Sequence, residues 1–168
     1  MYRIISIYLL ALILTGCTPP DREASTVQPR QLVSIPLELT TQMGDQQQFV
    51  EGDELQFLLS LGEDAFIYMY FIDASGKITR LLPSPEQSGH FYKAGYFLTI
   101  PEYKDLYRFR VKPPFGEESI WVFASDESMV TTPPQGDIDQ IRRDIKRSSS
   151  KAFGEYELRI STLKQLRF

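Results

Sequence analysis

Cysteine and histidine are almost absent: the 168 residues contain one of each, Cys17 and His90. One cysteine cannot close an intrachain disulfide, nor can it build a thiolate zinc site. One histidine leaves an imidazole-based metal site equally short of ligands, and no metal or other cofactor is expected. Any Ser–His–Asp or Cys–His system would have to rest on His90. Basic charge is scarce as well. Eighteen Lys and Arg face 22 Asp and Glu for a formal charge of −4, which is not the balance of a nucleic-acid binder. Long apolar runs are also missing. The longest, Ile4 to Leu14, is broken only by Ser6 and Tyr8, and as a helix it would span roughly 16 Å, about half of a bilayer's hydrocarbon core.

That short run has a charged start, Met1–Tyr2–Arg3, and is followed at once by Thr18–Pro19–Pro20–Asp21, where a helix cannot continue. It fits the apolar stretch of a secretory signal peptide better than a membrane span. Between the two lies Leu14–Thr15–Gly16–Cys17, which resembles the lipobox of bacterial lipoproteins. The resemblance implies that residues 1–16 are a leader, cut off just before Cys17, and that the Cys17 sulfur carries a diacylglyceryl group. Thioether formation needs the thiol, and small residues before it let the backbone enter a narrow protease cleft. Thr18 after the cysteine resembles the outer-membrane sorting pattern. The expected location is therefore the outer membrane, held by acyl chains on Cys17 and facing the periplasm, with surface exposure as the alternative. Losing the leader removes Arg3 only and takes the charge from −4 to −5. Residues 17–31 are polar and rich in proline, with no apolar periodicity, and are expected to be a tether.

From Leu32 onward the pattern becomes one of short alternating runs. Val33, Ile35, Leu37 and Leu39 alternate with polar or small residues, and Pro36 suggests an edge strand. Leu55, Phe57 and Leu59 share a face. Phe66 to Ile72 is apolar on both faces, as in a central strand, and Asp73–Ala74–Ser75–Gly76 after it reads as a hairpin turn. Further strands are expected in "GYFLTIP", "LYRFRV", "SIWVFAS" and "GEYELRIST". Ile138, Ile141 and Ile145 sit three and four apart, with Asp137 and Asp139 ahead of them, so an amphipathic helix is expected there. The fold expected over 32–168 is a single all-β domain: an antiparallel, immunoglobulin-like sandwich of about seven or eight strands with one C-terminal helix. A small closed barrel is the alternative.

The stretches "GDELQFLLSLGEDAFIYMYFIDASGKITRLLPSP", "KAGYFLTIP" and "PPFGEESIWVFASDE" together resemble a bacterial domain of unknown function. That domain occurs in lipoproteins and appended to bacterial kinases and caspase-like proteases. The matching positions include Gly52, Asp53, Tyr68, Asp73, Gly76, Leu81, Pro83, Gly95, Pro114, Gly116, Glu118 and Ser125. The likeness spans roughly residues 50–128, and implies a sandwich-type accessory domain with no known catalytic residues.

Candidate chemistry is thin. His90, in the loop "EQSGHFYKAG", is expected to be solvated. The acids pair as Asp53–Glu54, Glu63–Asp64, Glu117–Glu118 and Asp126–Glu127. A glycosidase needs two facing carboxyls, but these pairs fall at strand ends and turns, where acids serve solvation and local hydrogen bonds. Arg142, Arg143, Lys146 and Arg147 form the one basic concentration, a candidate docking patch for an acidic partner, anionic lipid or glycan, or else a solvated helix face. The aromatics of "HFYKAGYF" and "PEYKDLYRFR" could bind sugar or protein, although strand spacing favours core and cross-strand pairs. The expected function is non-enzymatic: a lipid-anchored envelope protein that binds another envelope protein, in a secretion system or similar assembly. Carbohydrate or peptidoglycan binding is the alternative, and a hydrolase comes third.

Overall fold

A computed structural model describes residues 31–44, 47–85, 87–129 and 136–165. Cys17, the leader and most of the tether lie outside the described residues; the compact unit considered below is Gln31–Phe168. Its elements in chain order are β1 (Val33–Ser34), β2 (Leu37–Thr41), β3 (Gln48–Val50), β4 (Glu54–Leu55), β5 (Phe57–Leu61), β6 (Ala65–Ile72), β7 (Ile78–Leu82), β8 (Phe91–Tyr92), β9 (Phe97–Ile100), β10 (Phe109–Arg110), β11 (Glu117–Ser125), α1 (Ile138–Ser148) and β12 (Ala152–Leu163).

The larger sheet runs β1-β12-β11-β6-β7, with β3 pairing on β12 and β8 on β6. A second sheet runs β2-β5-β9, and β4 pairs with β10 as a separate ribbon. Pairing is antiparallel except where β1 and β3 lie parallel to the two ends of β12. The expected first strand divides at Pro36, which has no N–H for a ladder. Before it, β1 pairs with the large sheet; after it, β2 pairs with β5 in the small one. The crossing passes directly over Gly154. A Cβ there would collide with the Ile35 carbonyl oxygen and lie 2.7 Å from Leu37 Cδ2, so β12 needs glycine at this point.

Strand parity explains why β6 and β11 are apolar on both faces. Ala65, Ile67 and Met69 of β6, with Ile120, Val122 and Ala124 of β11, turn toward the small sheet and meet Leu39, Phe57 and Leu59. Tyr68, Tyr70 and Phe123 turn the other way and meet Ile141 and Ile145 of α1. The result is a sandwich-like body, mostly β, with the one helix laid on the outer face of its larger sheet. Asp137 caps α1 by accepting the Gln140 N–H at 2.7 Å, as an N-cap acid should. The Ile stripe is the packed face, as its spacing predicts.

Candidate functional site

Beyond the last shared core layer, the space between the sheets opens into a cleft of about 330 Å³. Leu55 and Phe57 line it from the small-sheet side, Phe71 and Leu81 from the β6–β7 hairpin, and Phe109 and Val111 from the β10 segment. Such a volume is at the small end of ligand sites, and apolar walls with few polar groups are typical of them.

Five charged groups also line the cleft, Asp73, Arg108, Arg110, Lys112 and Glu118, and the most buried of them is Glu118. It shares strand parity with Ile120, Val122 and Ala124, so its side chain lies on the inter-sheet face, where it is only 7% exposed. Burial pushes its carboxyl up to about 7, against hydrogen bonds from the Ala74 amide and the Thr162 hydroxyl, and the charge of Asp73 adds to the upward push. Asp73 itself is spent on the hairpin turn. It accepts from the Ser75 hydroxyl at 2.6 Å, the Ser75 amide at 2.9 Å and the Lys77 amide at 3.0 Å. Led by the Ser75 hydroxyl, these bonds outweigh burial and hold its carboxyl below the usual range. Of the three cations at the rim, Arg108 and Arg110 have partners among the described residues and Lys112 has none. Arg110 pairs with Glu54 at 2.7 Å, and Arg108 donates to the backbone carbonyls of Asp105, Tyr107 and Tyr103.

A second surface lies at the edge of the small sheet. Among the described residues β9 has β5 on one side and no strand on the other. Around it Tyr96, Phe97, Tyr103 and Leu106 stand 70%, 79%, 93% and 104% exposed. The segment that displays them is tied down from within. Glu102 accepts Lys104 at 2.8 Å, the Glu102 amide donates to the Asp105 carboxylate at 2.7 Å, and Arg108 holds three carbonyls. The expectation of core and cross-strand aromatics therefore fails here, while holding for Tyr92, Tyr107 and Phe109, which pack inward or hydrogen-bond through Gln87. Phe97 alternates with the inward Leu98 and Ile100 and so lies on the outer face of the small sheet, while Tyr96, Tyr103 and Leu106 lie outside the strand.

The basic residues of α1 are used locally. Arg142 lies over the Trp121 ring at 4.7 Å and pairs with Glu155 at 2.7 Å and Asp139 at 2.9 Å. Lys146 lies 5.6 Å over Phe153, and Arg147 is 3.6 Å from Asp144. Among the described residues Arg143 bonds only to Gln140, at 2.9 Å. The four do share the helix, but only Arg142 and Lys146 reach the sheet and help to hold the helix on it.

His90 is not a solvated loop residue. Its ring packs 5.4 Å from Phe66 and 5.1 Å from Tyr68, and its Nδ1 lies 3.1 Å from the Ser88 carbonyl. Most of the paired acids hold the fold together. Asp53 accepts the Val50 amide, Asp64 the Ala94 amide, and Asp126 the Ser150 and Lys151 amides and the Ser150 hydroxyl. Glu118 is the exception. Sequence reasoning placed it in a surface pair and missed its burial; the signal was its parity with Ile120 and Val122. Among the described residues no group of three His, Cys, Asp or Glu is placed to hold a metal ion, and no helix is long and apolar enough to cross a membrane.

Residues 48–128 match the model of a domain of unknown function, DUF4384. Comparison with curated proteins finds no match to this chain. The matched span runs from β3 through β11 and stops short of α1 and β12. It includes every residue named above as lining the cleft, and the exposed segment as well. The partner that β11 needs on its other side, β12, lies outside it, so the matched span is not by itself the folded unit.

Proposed function

We propose that the protein is a lipid-anchored component of the bacterial envelope that works by binding rather than by chemistry, with another envelope protein as its partner. The Leu14–Thr15–Gly16–Cys17 motif supports the anchor at Cys17. The observation that carries the binding role is the open edge of β9 with Tyr96, Phe97, Tyr103 and Leu106 displayed around it. An open edge offers main-chain donors and acceptors to an added strand, and exposed side chains beside it supply specificity. The charged residues of the same segment are already paired with one another or with backbone, which favours an apolar, extended segment over a charged one.

Two measurements test this reading. Cys17→Ser should abolish incorporation of radiolabelled palmitate and leave the precursor uncleaved; continued labelling would overturn the anchor. A photocrosslinking amino acid at position 106 in intact cells should yield a discrete protein adduct, and Phe97→Asp should reduce it at least tenfold without changing the melting temperature. The carbohydrate reading keeps one specific observation in its favour, the exposed rings of Tyr96 and Tyr103. Retention on peptidoglycan or glycan beads, lost in Tyr103→Ala, with no protein adduct would replace the first reading by the second.

A further inference from the structure

The cleft at the end of the sandwich stands apart from the β9 edge, and its chemistry differs. Apolar side chains come from both sheets and from the β10 segment, three of them phenyl rings: Phe57, Phe71 and Phe109. One acid, Glu118, is more than nine-tenths buried within this wall. It projects from the sheet beside the start of the hairpin turn, where strand pairing places Ile120 opposite Phe71 and hence Glu118 next to Asp73. A carboxyl in such surroundings gains most from a ligand that brings a positive charge to it, because the low local dielectric strengthens the pair once formed. Phenyl faces add attraction for the same charge. An anionic ligand would meet Glu118 and Asp73 at the inner wall; of the three cations outside, Arg110 is engaged by Glu54 and Arg108 by backbone carbonyls, and only the exposed Lys112 has no partner among the described residues.

We propose that this cleft is a binding site for a compact primary amine with an apolar body, its ammonium received by Glu118 and its body by Phe57, Phe71, Leu81 and Phe109. The site is independent of the protein-docking surface at β9, and either can fail without the other. Three features of binding follow. Affinity should rise with pH through the range in which Glu118 ionises, close to 7. The charged groups that face it are Asp73 from the hairpin turn and Arg108, Arg110 and Lys112 from the β10 segment, and side chains of these types do not change charge between pH 6 and 8. An isosteric alcohol or carboxylate should bind more weakly than the amine. Filling the cleft should block binding without touching the acid.

The test uses the full chain in zwitterionic phosphatidylcholine nanodiscs and three isosteric probes: 2-phenylethylammonium, 2-phenylethanol and phenylacetate. Methyl resonances of Leu55, Leu81 and Val111 report occupancy. The ammonium should bind at least tenfold more tightly than either isostere at pH 8, and about tenfold more weakly at pH 6, as the ionised fraction of Glu118 falls. Glu118→Gln keeps the size and hydrogen-bonding capacity of the side chain and should remove both the preference and the pH dependence. Leu81→Trp should abolish binding of all three. Equal binding of the three probes, preference for phenylacetate, an unaltered response in a folded Glu118→Gln protein, or no shift at about 10 mM probe would each overturn the proposal. If either variant fails to fold, the probe and pH series on the unaltered chain still decides the outcome.

Discussion

Two segments of about the same length, α1 and residues 96–106, combine charged and apolar side chains and use them in opposite ways. In α1 the apolar side chains go down into the sheet and the cations fold back over them, Arg142 on Trp121 and Lys146 on Phe153. In 96–106 Leu98 and Ile100 go inward, but the charged groups tie the segment together and Tyr96, Phe97, Tyr103 and Leu106 are left outside. A cluster of charge in a sequence therefore does not mark a free surface, and an aromatic run does not mark a core. What decides is whether a second layer covers the face.

The largest test of that contrast is truncation. Ile141 is 1% exposed between α1 and the sheet, and Ile141→Ala should cost about 2–5 kcal/mol by loss of burial and the cavity left behind. Leu106→Ala removes a larger exposed surface and should change stability by less than about 0.5 kcal/mol. Urea denaturation of both variants checks the pair. Equal losses would mean that Leu106 is covered in solution, as it would be in an oligomer built through the β9 edge.

The two ends of β11 make a second comparison, of acids this time. At one end burial pushes the Asp126 carboxyl up but is outweighed by hydrogen bonds from Ser150, Lys151 and Ala152, so it is held below the usual range. At the other end burial wins at Glu118, raising it to about 7. Their contributions to stability have opposite signs. The low Asp126 contributes stability that is present above its ordinary value, near 4, and lost as pH falls through its folded value. Glu118 binds its proton more tightly folded than unfolded, so its effect is favourable at low pH and is lost as pH rises from about 4.5 to about 7. With allowance for solvent screening, that loss should be on the order of 1–3 kcal/mol. Glu118→Gln should flatten melting temperature against pH across that window, whereas Asp126→Asn should flatten it only below about pH 4. An unchanged slope between pH 4.5 and 7 in Glu118→Gln would show that the carboxyl is hydrated.

How legible these differences were depended on whether local pattern or long-range contact created them. The two-faced runs at Phe66–Ile72 and Ser119–Ser125 announce central strands, and the Ile stripe announces α1, because periodicity reports burial directly. Pro36 suggested an edge strand rather than a break, since the switch between sheets is fixed by the close approach of Ile35 and Leu37 to Gly154, more than a hundred residues away in sequence. The splitting of hairpin arms into short strands such as β4, β8 and β10, which raises the strand number above the expected seven or eight, follows from the same kind of distant pairing. The cleft was illegible for a related reason. Its walls come from β4, β5, the β6–β7 hairpin, β10 and β11, and only their assembly turns Glu118 from one of a surface pair into a buried acid.

The smallest expected effect separates two neighbours that look equivalent as sequence. Arg142 and Arg143 are adjacent cations on one helix, yet Arg142 is fitted between Trp121, Glu155 and Asp139, while Arg143 reaches only Gln140. Arg142→Glu would place an acid against two others and remove the cation from the indole face. It should cost about 1–2 kcal/mol, from exposed-pair and cation–π contributions together. Arg143→Glu should stay within about 0.5 kcal/mol. The order matters for the docking patch. If α1 has a partner of its own, Arg143 and Arg147, both exposed, are the cations with least to lose by engaging it, and Arg143→Glu should weaken its binding in a salt-dependent way while melting is unchanged. If Arg143→Glu leaves every copurifying protein in place at low salt, the basic residues of α1 serve only to fasten the helix to the sheet, and the search for a partner narrows to the β9 edge.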